Sequence, residues 1–167
     1  MQPTDLSTIQ DVEQAEFEIR HPKTRAGLGI FFMLAGPTHP LRRRGTNEIQ
    51  QVAMKALAGR ADDPAALAAA KEEKDIAWLA DCTRGWRQEV RDEQGALVAE
   101  QSGPFVTFNG VQLAHSGPVV RGIYADAKYF WLREQVDVML GKTQDFINDS
   151  RASSSPTSSG VTASTGP

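Results

Sequence analysis

Residues 15–34 decide the fold: Ala15-Glu16-Phe17-Glu18-Ile19-Arg20, a turn-like His21-Pro22-Lys23-Thr24-Arg25-Ala26-Gly27, then Leu28-Gly29-Ile30-Phe31-Phe32-Met33-Leu34. The first run alternates with period two and sets Phe17 and Ile19 on one side. The second is a short apolar run, and a glycine-containing turn joins the two, which is the pattern of a β-hairpin. Because the second strand is apolar on both faces, each face needs a cover. Ala35-Gly36-Pro37 ends it.

Beyond the hairpin the period changes to that of helices. Thr38 and Pro40 open a short turn that Gly45 is expected to break. Asn47 then reads as an N-cap with Gln50 in the capping-box position, and Ile49, Val52, Ala53, Ala56 and Leu57 follow at helical spacing up to Gly59. Asp62-Asp63-Pro64 starts a second helix, with acids at the positive end of the dipole and proline in the first turn. Its inner face carries Leu67, Ile76, Leu79, Ala80 and Thr83, and it is expected to end at Gly85-Trp86. A second hairpin is expected at Arg87–Arg91 and Ala96–Ala99, joined by Asp92-Glu93-Gln94-Gly95. Residues 101–115 read as mostly loop anchored by Phe105 and Phe108. Ser116-Gly117-Pro118 announces a short helix, and Asp126 caps a last one running from about Ala127 to Ile147. Residues 15–148 thus read as one α+β domain, mainly α-helical, with an N-terminal hairpin, a second hairpin and about four helices.

Residues 1–14 are polar and acidic and read as a flexible lead; they contain no basic residue, so a secretory signal is not expected. From Asp149 to Pro167, ten of nineteen residues are Ser or Thr and Val161 is the one large aliphatic, too little apolar surface to offset the entropy of ordering. This tail, 149–167, is expected to be disordered. No apolar run approaches the roughly 18 residues of a membrane span. The single cysteine, Cys82, leaves no internal disulfide and fits a reducing, cytoplasmic setting.

Charge is unevenly placed. Arg20 to Arg44 holds six basic residues and no acid, whereas Gly45 to Glu100 holds eleven acids against seven bases. With a net charge of −3 over the whole chain, nucleic acid is not the expected partner. His21, His39 and His115 lie far apart and Cys82 has no sequence-near partner, so the usual chelate spacing of a zinc site is missing. Gly27-Leu28-Gly29 has Phe32 where a dinucleotide fingerprint needs its third glycine. The acidic pairs Asp62-Asp63 and Glu72-Glu73 read as solvated helix surface. The expectation is a chain with no catalytic residues and no cofactor.

The positive signal is aromatic. Tyr129-Phe130-Trp131 are consecutive, and three consecutive helical residues sweep about 200° of arc. They cannot all face one core, so at least one is expected at the surface, and Tyr129, Phe130 and Trp131 together are the expected partner surface. Arg42, Arg43 and Arg44 are the expected electrostatic rim of that site.

The features also come in a distinctive order. The hairpin with Leu28-Gly29-Ile30 and Leu34-Ala35-Gly36-Pro37 is followed by Leu79-Ala80-Asp81-Cys82-Thr83-Arg84-Gly85-Trp86. Phe108 comes next, then Val120-Arg121-Gly122-Ile123-Tyr124-Ala125-Asp126, and Trp131-Leu132-Arg133-Glu134-Gln135-Val136 runs on to Phe146. In this order the chain resembles the tail assembly chaperones of long-tailed bacteriophages over most of residues 15–147. The stretch from Phe108 to His115 departs from that pattern, in which a capped helix follows the phenylalanine closely. The resemblance implies a non-catalytic protein of the infected bacterial cytoplasm that binds the tape measure protein, keeps it soluble and helps bring tail tube protein to it. Such a protein is expected to be absent from the mature virion, and the chain would correspond to the shorter of two frameshift-related forms. A homo-oligomer is compatible with this. Two other readings stay open: a structural virion protein of the tail or head–tail connector, and a small nucleic-acid-binding regulator.

Overall fold

A computed structural model describes residues 9–58 and 63–149. Its strands are β1 (Ile9–Asp11), β2 (Gln14–Arg20), β3 (Gly27–Ala35), β4 (Thr83–Gln88), β5 (Phe105–Phe108), β6 (Val111–Ala114) and β7 (Ile147–Asp149). Its helices are α1 (Pro40–Leu57), α2 (Pro64–Cys82), α3 (Gly117–Ala125) and α4 (Phe130–Gly141). The domain is α+β, with four α-helices and an N-terminal β-hairpin among the described residues.

The hairpin forms as its periodicity requires. β2 and β3 pair antiparallel with Phe17 opposite Phe32 and Ile19 opposite Ile30. On the inner face, Ile19, Phe32 and Leu34 enter one core with Leu79 and Ala80 of α2, Val120 and Tyr124 of α3, and Leu132, Val136 and Leu140 of α4. The outer face of β3 is covered by charge. The guanidinium of Arg87 lies 4.1 Å from the Phe31 ring centroid, bonds both carboxylate oxygens of Glu16 at 2.7 Å, and also contacts Glu89. An arginine can cover an aromatic ring while its donors stay paired, because the guanidinium is planar. Its hydrogen bonds hold the Glu16 carboxyl below the ordinary carboxylate range.

Several elements depart from the sequence reading. β4 occupies Thr83–Gln88, where α2 was expected to continue to Gly85-Trp86. It pairs antiparallel with β3, Trp86 opposite Phe32 with ring centroids 5.6 Å apart, making a three-stranded sheet ordered β2-β3-β4. The backbone bonds available on the free edge of β3 outweigh the continuation of α2, whose last turn is already closed by the Thr83 hydroxyl donating to the Leu79 carbonyl at 2.9 Å. The hairpin expected at Arg87–Arg91 and Ala96–Ala99 reduces to a tight loop with one bridge, Arg91 to Leu97, because Arg87 and Gln88 belong to β4.

The segment expected as loop contains a hairpin of its own, β5 and β6, turning on Asn109-Gly110. Both turn residues have positive φ, 50° and 77°, as a two-residue type I′ turn demands. The last helix is shorter than its expected span. It begins at Phe130 and ends at Gly141, flanked by 3-10 turns at Ala127–Tyr129 and Thr143–Phe146.

α1 runs unbroken from Pro40, so Gly45 does not interrupt it and Asn47 does not cap it. The start is organised instead by His39, whose Nδ1 accepts from the Leu41 N–H at 3.2 Å. Asp63 and Ser116 do cap α2 and α3, accepting from the Ala65 and Val119 N–H groups. Within residues 1–14, expected as a flexible lead, Ile9–Asp11 is a strand paired with Ile147–Asp149. Asp149, assigned to the tail by composition, is therefore the last residue of β7, and 150–167 lie outside the described residues.

Candidate partner-docking surface

α1 and α2 pack side by side and run antiparallel. Arg42 meets Trp78 near the body of the domain, and Glu48 meets Lys74 farther out, with Nζ 3.3 Å from the carboxylate. Gly45 permits the close approach: a Cβ there would overlap Cδ1 of Trp78 and stand 2.9 Å from its Cγ. The Trp78 indole N–H donates to the Arg42 carbonyl at 3.2 Å, which fixes the ring between the two helices.

On one side of this pair, α4 completes an open groove of about 700 Å³. Ile49, Ala68, Trp78, Leu79 and Phe130 supply its apolar lining, and Lys71, Glu72, Asp75, Arg133, Glu134 and Asp137 supply its charged lining. Phe130 is 48% exposed. The guanidinium of Arg133 lies 4.8 Å from its ring centroid and bonds Glu72 at 3.0 Å, linking α4 to α2 across the groove.

The three consecutive aromatics go to two places. Phe130 faces the groove. Tyr129 and Trp131 line a smaller apolar cavity of about 250 Å³, bounded by Ile19, Leu28 and Ile30 of the sheet and by Phe108 of the second hairpin. Tyr129 stands edge-on to Phe108 with centroids 5.2 Å apart. Tyr129 belongs to the 3-10 turn ahead of α4 and from there shares the cavity with Trp131, while Phe130, the first residue of α4, lines the groove.

The arginine rim expected at Arg42, Arg43 and Arg44 is also corrected. Arg42 points inward: its Nη1 donates to the Ala35 carbonyl at 3.3 Å, its Nη2 donates to the Leu140 carbonyl, and its guanidinium lies 5.3 Å from the Phe146 ring centroid. Burial pulls its pKa below the ordinary guanidinium value. Arg43 is exposed. Arg44 is 78% exposed, pairs with Glu48 at 3.1 Å and lines a different, more polar cleft of the α1–α2 pair. None of the three lines the Phe130 groove. Nor does the basic segment form one patch, because Lys23 and Arg25 sit at the β2–β3 turn while α1 follows the other end of β3, about 30 Å of strand away.

Sequence reasoning marks Phe130 as a candidate and Ile49 and Leu79 as helix faces, but it misses Trp78 and the pairing that joins the groove's walls. Trp78 was unmarked beside the better-spaced Ile76 and Leu79, although a tryptophan within a charged helix is itself a signal. The Arg133–Glu72 pair joins positions 61 apart, beyond any local pattern.

The residues with reactive side chains are placed structurally. His21 Nδ1 accepts from the N–H groups of Lys23 and Thr24 at 3.2 Å each, and His115 Nε2 lies 2.8 Å from the Thr83 carbonyl. Among the described residues no three His, Cys, Asp or Glu converge as a metal site. Also among them, no helix is long and apolar enough to cross a membrane.

Cys82 is fully buried, and burial pushes its thiol up to about 12 from an ordinary value of 9.0. Between those values the folded chain keeps a proton that the unfolded chain has released. The corresponding stability is therefore intact below about pH 9 and lost progressively as pH rises toward 12, by at most about 1.4 kcal/mol per pH unit for this one group. Two measurements check this: a thiol reagent should modify native Cys82 only as fast as the domain unfolds, and Cys82→Ala should flatten the alkaline limb of a urea-melt series.

No protein-family model, curated protein or solved structure matches this chain.

Proposed function

We propose that this chain is a tail assembly chaperone of a long-tailed bacteriophage, a non-catalytic protein that binds the tape measure protein in the host cytoplasm. In this role it keeps that long client soluble and assists tail tube assembly, then leaves before the virion is complete. The observation that carries the reading is the exposed Phe130 at an open groove walled by α1, α2 and α4. An aromatic ring held beside a helical groove suits transient capture of another chain. The ordered resemblance over residues 15–147 supplies the identity of the client. Exposed charges around the groove keep the chain dispersed when the client is absent.

Mass spectrometry of purified particles beside the lysate of infected cells tests the reading. The expected result is the chain in the lysate, co-purifying with the tape measure protein, and not in the particle. Recovery in stoichiometric amount from the particle would overturn it and establish a structural component of the tail or connector.

A further inference from the structure

We infer that the groove between α1, α2 and α4 selects one kind of occupant, an amphipathic helix whose apolar stripe is flanked by lysine or arginine. The inference rests on the docking role proposed above and adds the chemistry of the partner.

The floor selects apolar side chains. Ile49, Ala68, Leu79 and Phe130 offer no side-chain polar atom, and the N–H of Trp78 is already used by the Arg42 carbonyl. Two uncharged polar residues, Thr46 and Gln50, also line the groove on the α1 side; the Thr46 hydroxyl already donates to the Arg42 carbonyl at 2.9 Å, so the floor between the helices is mainly apolar. The walls select a helix over a strand. All three are helices, whose backbone groups are spent internally, and an extended segment would need an open sheet edge to pair with. The groove follows α4 from Phe130 to Asp137 and α2 from Ala68 to Leu79. At a rise of 1.5 Å per residue these spans are about 10 and 16 Å, the length of two to three helical turns. That matches an occupant with anchors at i, i+3 or i+4, and i+7.

The rim selects charge. Four acids, Glu72, Asp75, Glu134 and Asp137, face two bases, Lys71 and Arg133, for a net charge of −2. Both bases are committed, Lys71 to Asp75 at 2.9 Å and Arg133 to Glu72 at 3.0 Å. Lys71 also feels the field of Asp137. Glu134 and Asp137 are exposed and make no ion pair of their own among the described residues. Complementary charge sets specificity and encounter rate more than raw affinity, so the acidic rim favours basic flanks and disfavours acidic ones or a phosphate backbone.

Two fluorescent peptides of about 15 residues, long enough to cover the groove, test this on the full chain. Both carry leucines at helical spacing; one is flanked by lysines and the other by glutamates. The lysine peptide should bind about tenfold tighter or more. Glu134→Lys combined with Asp137→Lys should abolish or reverse that preference with the circular dichroism spectrum and melting temperature unchanged. Phe130→Ala should weaken binding of the lysine peptide about tenfold, as expected for a central aromatic anchor.

Equal affinity for the two peptides would overturn the inference, as would binding indifferent to the charge reversal. Self-association that Phe130→Ala abolishes would assign the groove to a second copy of this chain and overturn it too. The chaperone role is judged separately, by capture of the tape measure protein. Capture that persists in the charge-reversed chain sinks the charge rule and leaves the role intact. Charge-selective peptide binding by a chain that captures no tape measure protein upholds the groove and sinks the role.

Discussion

Gly45→Ala should destabilise the domain by about 2 kcal/mol, although glycine to alanine in an open helix interior normally stabilises by about 1 kcal/mol. The reversal of sign comes from Trp78. The new Cβ would overlap the indole ring, and the ring cannot swing aside without giving up its bond to the Arg42 carbonyl. Forcing a methyl into packed space costs about 1–3 kcal/mol, and the lost hydrogen bond adds about 1 kcal/mol, so the propensity gain is outweighed. Urea melts of four chains decide it: the parent, Gly45→Ala, Trp78→Ala and the double variant. With Trp78 already removed, Gly45→Ala should be neutral or stabilising, and the two changes should be strongly non-additive. A stabilising Gly45→Ala in the parent chain would mean that the α1–α2 approach is looser than described. The groove would lose its floor with it.

Arg42→Ala should cost about 2–4 kcal/mol. The guanidinium joins three elements by bonding the Ala35 carbonyl at the end of β3 and the Leu140 carbonyl in the last turn of α4, from a stem on α1. A cation at the C-terminal end of a helix is favoured by the aligned peptide dipoles. Truncation leaves two carbonyls without a partner, at about 1–3 kcal/mol for each that stays buried, and exposes part of the Phe146 ring. Arg42→Lys should recover only part of the loss, because an ammonium cannot present the planar fork that reaches both carbonyls. Arg43→Ala and Arg44→Ala, at exposed positions, should stay within about 0.5 kcal/mol of the parent. Thermal melts of the four variants would separate a structural cation from two surface ones. Equal, small effects at all three positions would return Arg42 to the surface.

Part of the fold was legible because its causes are local. The alternation of Phe17 and Ile19, the caps Asp63 and Ser116, and the proline in the first turn of α2 each act within a few residues. They produced β2, β3, α3 and the start of α2 where expected. One local signal also marks a strand pair: Asn109-Gly110 between Phe105–Phe108 and Val111–Ala114 is a strong two-residue hairpin mark within a segment otherwise read as loop. The candidate site was half legible. That Tyr129, Phe130 and Trp131 cannot all face one core was readable from helical geometry, whereas the choice of Phe130 for the groove depends on what α1 and α2 place opposite it.

By itself, then, the order of residues determined the N-terminal hairpin, four helical segments and a surface aromatic near residue 130. Helical and extended periodicities are short-range properties, readable within one or two turns. Tertiary structure decided the rest. Gly45 reads as a helix breaker until Trp78, 33 positions away, fills the space its missing side chain leaves. Thr83–Trp86 reads as the end of a helix until the edge of β3 offers it backbone partners. Arg42 reads as one of three surface cations until the carbonyls of Ala35 and Leu140 draw it inward. In each case the deciding partner is remote in sequence, so its pull exists only once the chain has closed on itself.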